Sequence, residues 1–190
     1  LAQLENLRLV DSGNGPLATV QVSASADDAE EDVADGAMDV TSSDLELIQE
    51  SEAQTVGLRF QNVLIPQGVA ITSAYVQFGV DETTSEATSL TFHGQAADNA
   101  AAFTSTAYNI SSRTKTSASV TWASVPAWPT IGEAGDNQKT PDLSAVIQEI
   151  VTRPGWSSGN ALALVVTGSG KRVAEAYDGN SALAPTLSVT

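Results

Sequence analysis

The chain has 190 residues, with 8 Lys+Arg against 23 Asp+Glu, one histidine and no cysteine, for a formal charge of −15. This length predicts a single domain over residues 1–190 with a core of its own, residues 1–16 being an N-terminal extension or edge strand. The charge opposes the phosphate neutralisation that nucleic-acid binding needs and repels anionic lipid, and the missing cysteines exclude disulfides, thiolate metal sites and cysteine nucleophiles.

No apolar run approaches the roughly 18 residues of a membrane span, so no membrane insertion is expected. The start, "LAQLENLRLV", lacks the charged-then-apolar order of a signal peptide, which fits a mature, processed form. Its Leu1, Leu4, Leu7 and Leu9 are suited to an added strand or to packing on a neighbouring molecule. In "PLATVQVSAS", Ala18, Val20, Val22 and Ala24 alternate with polar residues, the period of a half-buried strand. "SASADDAEEDVADG" follows, read as an acidic loop with six carboxylates at Asp27, Asp28, Glu30, Glu31, Asp32 and Asp35.

Period two returns in "TVGLRFQ", with Val56, Leu58 and Phe60 inward, and in "SAYVQFGV", with Ala74, Val76, Phe78 and Val80 inward. "IPQG" between them is a turn in which Pro66 presets φ, so the two strands are expected to be neighbours or close to it. "TSLTFHGQ" turns Leu90 and Phe92 to the core. In "TPDLSAVIQEIVTRPG" the spacing becomes helical, and predicts a short helix around 141–152 with Thr140 as N-cap and Pro141 in its first position. "NALALVVT" is apolar on both sides and reads as a central strand covered on both faces, and "APTLSVT" alternates again. Many short strands with one helix predict an all-β jelly-roll β-sandwich of two antiparallel sheets.

"TVGLRFQNVLIPQGVAITSAYVQF" resembles the "LRF…IP.G..I..A.L.F" segment of the DNRLRE, or disaggregatase-related, domains of bacterial and archaeal secreted proteins, some of which are classed as carbohydrate-binding modules. "SVTWASVPAW", the helix, "GWSSGNALALVV", "AEAYDG" and "APTLSV" follow in matching order. The resemblance implies a galactose-binding-like jelly roll, secreted or displayed at the cell surface as an accessory module, with a structural calcium ion. In related jelly rolls such an ion joins an N-terminal loop to the last strands. On this chain that brings Asp27, Asp28, Glu30 or Glu31 near Glu175 or Asp178.

Calcium takes six to eight oxygen ligands in irregular loops, and carboxylates packed this closely repel one another unless a cation compensates them. The alternative is a solvated charge run. The spacing is not that of an EF-hand. Asp81 with Glu82, and Asp39, Asp44 and Glu46, read as surface charge.

For a polysaccharide partner, Trp128 is the tryptophan best suited to exposure, whereas Trp122 and Trp156 read as core. Arg59, Tyr75, Gln77 and His93 project outward from their strands, and form one polar binding face if those strands share a sheet. Catalysis is not expected. His93 would have to serve any Ser-His-Asp arrangement without a GxSxG elbow, and no phosphate loop, dinucleotide fingerprint or zinc motif occurs. The alternative to a glycan-binding module is a structural or adhesive subunit that meets itself or other surface proteins.

Overall fold

The alternating segments become strands. A computed structural model describes residues 17–190, so Leu1, Leu4, Leu7 and Leu9 lie outside the described residues. Among the described residues there are twelve strands: β1 (Ala18–Gln21), β2 (Asp28–Asp32), β3 (Met38–Asp39), β4 (Asp44–Ile48), β5 (Gln54–Phe60), β6 (Ala74–Gln77), β7 (Val80–Glu82), β8 (Ser89–Gln95), β9 (Lys115–Trp122), β10 (Leu162–Ser169), β11 (Lys171–Glu175) and β12 (Thr186–Val189). Two helices interrupt them, α1 (Ser144–Val151) and the single turn α2 (Tyr177–Asn180). The fold is an all-β sandwich. One layer is the six-stranded sheet β3-β2-β5-β10-β8-β9, and every pairing in it is antiparallel. The facing layer is divided into two three-stranded antiparallel sheets, β1-β12-β6 and β4-β11-β7, where a single second sheet was expected.

The core lies between the layers. Val56, Leu58 and Phe60 of β5, Leu90 and Phe92 of β8, and Leu164 and Val166 of β10 meet Val76, Leu187, Leu45 and Ala174 from the opposite side. β10 sits in the middle of the large sheet and is buried on both faces, as its doubly apolar sequence predicts. Its Ala163 and Val165 point outward into a second, smaller core under residues 96–113, with Ala29, Phe103 and Ile110. Gly57 belongs to this outer face: a Cβ there would lie 2.5 Å from the Phe103 ring, so only glycine lets the covering segment approach.

Two expectations shift. β5 and β6, joined through the "IPQG" turn, are not sheet partners; the chain crosses from one layer to the other there. Helix α1 begins at Ser144 rather than at Pro141. Thr140 is drawn into pairing with β6, its hydroxyl accepting the Val76 N–H at 3.0 Å, and the Asp142 carboxylate accepts the Ser144 N–H instead. From α1, Glu149 reaches the outer margin of β9, where its two oxygens accept the N–H groups of Ser117 and Ala118 at 2.8 Å each. Among the described residues no helix is long and apolar enough to cross a membrane.

Candidate functional site

Residues 28–32 of the acidic segment form strand β2 rather than a loop, and Asp27 closes the single 3-10 turn that leads into it. Strand alternation sends its carboxylates to two sides of the large sheet. Asp27 and Glu31 face the covering segment, and Asp28 and Glu30 face the second layer. All four are buried. Asp27 pairs with the Arg59 guanidinium and accepts the Gln61 amide at 2.6 Å. Glu31 Oε2 accepts the N–H groups of Ile110 and Ser111 at 2.7 and 2.9 Å. Asp28 Oδ2 accepts the Tyr177 N–H at 2.8 Å, and Glu30 accepts the Glu46 N–H at the margin of β4.

The N-terminal segment therefore meets the residues after β11: Ser25 also donates to Asp178 at 2.8 Å. The six residues Asp27, Asp28, Glu30, Glu31, Glu175 and Asp178 do not surround one point, because Asp27 and Glu31 are turned away and are neutralised by protein donors. Burial pushes the Asp28 carboxyl up to about 7, helped by the Asp178 charge and opposed by the Tyr177 N–H. Burial and the neighbouring Glu46 carboxyl push Glu30 up to about 9.

A cleft of about 320 Å³ opens beside Glu30, lined also by Asp32, Asp39, Asp44, Glu46 and Glu50, and no lysine or arginine lines it. Asp32 and Asp39 are partly used in turns, accepting the N–H groups of Ala34 and Thr41. Next to this cleft, Asp44, Asp81 and Glu82 present carboxylate oxygens within 4.8 Å of one another. Antiparallel pairing places Glu175 opposite Asp44, and the charges of Asp81 and Asp44 help burial to raise the Glu175 carboxyl. Among the described residues, the one cation within salt-bridge distance of this group is Lys171, 3.4 Å from Glu82.

The donor set is all hard oxygen. Ligands on opposite sides of a calcium ion lie about 5 Å apart, twice a 2.3–2.6 Å bond, so Asp44, Asp81 and Glu82 fit such an ion and Asp27 and Glu31 do not. Sequence reading treats Asp44, Asp81 and Glu82 as surface charge, because only the pairing of β4, β11 and β7 brings them together.

The expected glycan-binding residues are also dispersed. Arg59 and His93 lie on the outer side of the six-stranded sheet, and Tyr75 and Gln77 on the outer side of β1-β12-β6, so the sandwich separates them. Arg59 is covered, donating through Nε to the Ala100 carbonyl at 2.8 Å as well as to Asp27. His93 sits between Val165 and Ser119, with a buried Nδ1 that has no partner among the described residues. Trp128 is fully buried rather than exposed. It packs on Phe78 with ring centroids 6.1 Å apart, and its indole N–H donates to the Asn137 carbonyl at 3.0 Å. Trp122 and Trp156 are buried as the sequence suggests. Two further arginines have structural roles: Arg172 donates to Val125, Pro126 and Thr88, and Arg113 lies 4.2 Å over the Phe103 ring.

What remains of that expectation is Tyr75 and Gln77. They occupy a groove of about 300 Å³ together with Gln21, Thr186 and Ser188, walled by Ala182–Ala184 and Ala134. Register sets two rungs across three strands, Gln21–Thr186–Gln77 and Thr19–Ser188–Tyr75, each spanning about 10 Å at the usual strand spacing. No Asp, Glu, Lys or Arg lines it. Gln21, Thr186 and Ser188 are missed in the sequence, where they read as ordinary outward strand positions. No known protein family matches this chain, and no curated protein is significantly similar to it.

Proposed function

We propose that this chain is a non-catalytic carbohydrate-binding module of a secreted or cell-surface protein, stabilised by a divalent cation such as calcium. The observation that carries the reading is the uncharged groove on the β1-β12-β6 face, at the lower end of the size of small-molecule clefts, opening on a chain of net charge −15. A polar floor of amides and hydroxyls beside one aromatic ring is the chemistry a sugar needs, since its ring offers an apolar face and its hydroxyls offer hydrogen bonds. The likeness of the "LRF…IP.G" segment to DNRLRE domains points the same way. The cation would sit on Asp44, Asp81 and Glu82, which have one lysine beside them among the described residues, with Glu175 on the neighbouring strand opposite Asp44. Affinity electrophoresis against a panel of polysaccharides tests the sugar; retardation by at least one is expected, and migration unchanged by all of them overturns the reading.

The second reading, a structural or adhesive subunit, is favoured by one observation. An apolar slot of about 240 Å³ lies between Leu17–Val20 and the pair Asn62 and Leu64, at the point where residues 1–16 join the described chain. Leu17 and Leu64 are 39% and 67% exposed there. Assembly that grows with concentration in light scattering, and is abolished by deleting residues 1–10, supports this second reading; a strict monomer removes it.

A further inference from the structure

We infer that the groove on β1-β12-β6 selects neutral, hydroxyl-rich glycans and rejects uronate and sulfated ones, an inference that rests on the carbohydrate-binding reading. The selectivity comes from where the donors of the groove already point. Gln21 Nε2 donates to the carbonyls of Ala182 and Ala184 at 3.3 and 3.0 Å. Gln77 Nε2 donates to the carbonyls of Gly135 and Phe78 at 2.9 and 3.2 Å. Both hydrogens of each amide are thus committed to the protein, and among the described residues neither Oε1 accepts a hydrogen bond. The Thr186 hydroxyl donates to the Ala184 carbonyl at 3.4 Å. The groove therefore presents fixed acceptors, and among the described residues the hydroxyls of Ser188 and Tyr75 make no hydrogen bond that would fix their direction.

A ligand that matches fixed acceptors must bring donors, and a neutral sugar brings one on every hydroxyl. A carboxylate or sulfate replaces one of those donors with acceptors alone, and where it lies against the Gln21 and Gln77 oxygens it sets negative charge against them without a partner. Charge at the rim does not rescue it. Lys139 lies 5.3 Å from the Tyr75 ring centroid but is held by Asp136 at 2.8 Å, and Glu133 belongs to the same loop. The two acids of residues 133–139 outnumber its one lysine, and the net charge of −15 adds long-range repulsion of polyanions.

The test is affinity electrophoresis of the full chain through gels containing a neutral glucan, mannan or galactan, or polygalacturonate, or chondroitin sulfate, each with calcium and with EDTA. Retardation by at least one neutral polymer and by neither polyanion is expected. Gln21→Ala is expected to weaken it roughly three- to tenfold, the scale of one hydrogen bond. Because Gln77 also holds the loop at Gly135, the second variant is Ser188→Phe, which fills the groove from an outward strand position and is expected to abolish retardation. Thr121→Ala, on the opposite face of the sandwich, is expected to leave it unchanged. Retardation by a polyanion, in calcium or without it, overturns the selectivity while leaving the carbohydrate-binding reading intact. Neutral binding that survives Ser188→Phe overturns the location. No retardation by any polymer overturns the carbohydrate-binding reading itself.

Discussion

The acids of β2 and the acids spread over β4, β7 and β11 are the same residue types in opposite circumstances. Just before β2, Asp27 has an arginine, and on β2 itself Glu31 has two backbone N–H groups while Asp28 and Glu30 each accept a backbone N–H from the facing layer. Those carboxylates do the work of a sheet partner, fastening the covering segment on one side and the second layer on the other. Asp44, Asp81 and Glu82 converge with one lysine beside them. Carboxylate number alone therefore does not mark an uncompensated cluster; the count of donors already facing each carboxylate separates the two regions.

The comparison can be broken most severely at Arg59. Arg59→Met leaves Asp27 buried with only the Gln61 amide, and is expected to cost about 3–5 kcal/mol in urea unfolding. A loss below 1 kcal/mol would show that Asp27 does not depend on its partner. Glu31→Ala frees the Ile110 and Ser111 N–H groups and is expected to cost about 2 kcal/mol, with faster amide exchange at 110 and 111 as its signature.

Acidity sharpens the contrast next. Asp28 moves from 3.8 unfolded to about 7 folded, and Glu30 from 4.5 to about 9, so the folded state keeps protons that the unfolded state releases. That contribution is full below the unfolded values and is lost as pH rises through about 7 for Asp28 and about 9 for Glu30. Calcium-free melting temperatures are expected to fall between about pH 5 and pH 8 on this linkage. Asp28→Asn with Glu30→Gln should flatten the fall, because the neutral amides still accept the N–H groups of Tyr177 and Glu46; an unaltered slope in the double variant would refute it. The smallest change concerns the cation. Calcium is expected to raise the melting temperature relative to EDTA, and Asp81→Asn with Glu82→Gln should remove that rise while moving the EDTA melt by no more than about 0.5 kcal/mol, as surface substitutions do. An undiminished calcium effect in that variant would move the ion elsewhere.

Which side of a strand faces the core was legible in the sequence, and which sheet the strand joins was not. Val56, Leu58 and Phe60, and Ala74, Val76, Phe78 and Val80, are all buried as their alternation predicts, and the doubly apolar β10 is central. Alternation reports inside against outside but carries no signal of which layer a strand enters, so it cannot tell that Arg59 and His93 lie across the thickness of the sandwich from Tyr75 and Gln77. β2 is not legible because "DAEED" has no apolar side to read: its burial is made by partners far away in sequence, at Glu46, Ile110 and Tyr177. Trp128 misled for a related reason. It stands between Ala127 and Pro129 with no apolar alternation to mark it as core, and the carbonyl of Asn137 that receives its indole N–H comes from a turn the local sequence does not announce. The uncharged groove was half visible, through Tyr75 and Gln77, and needed the register of β12 and β1 to complete it.

Glu149 gives the broad sheet a guarded flank. With one side chain lying across consecutive amides of its last strand, a newcomer seeking to extend the ladder there would first have to evict a carboxylate. The border at Ala18, in the other layer, is flanked instead by the exposed Leu17 and Leu64.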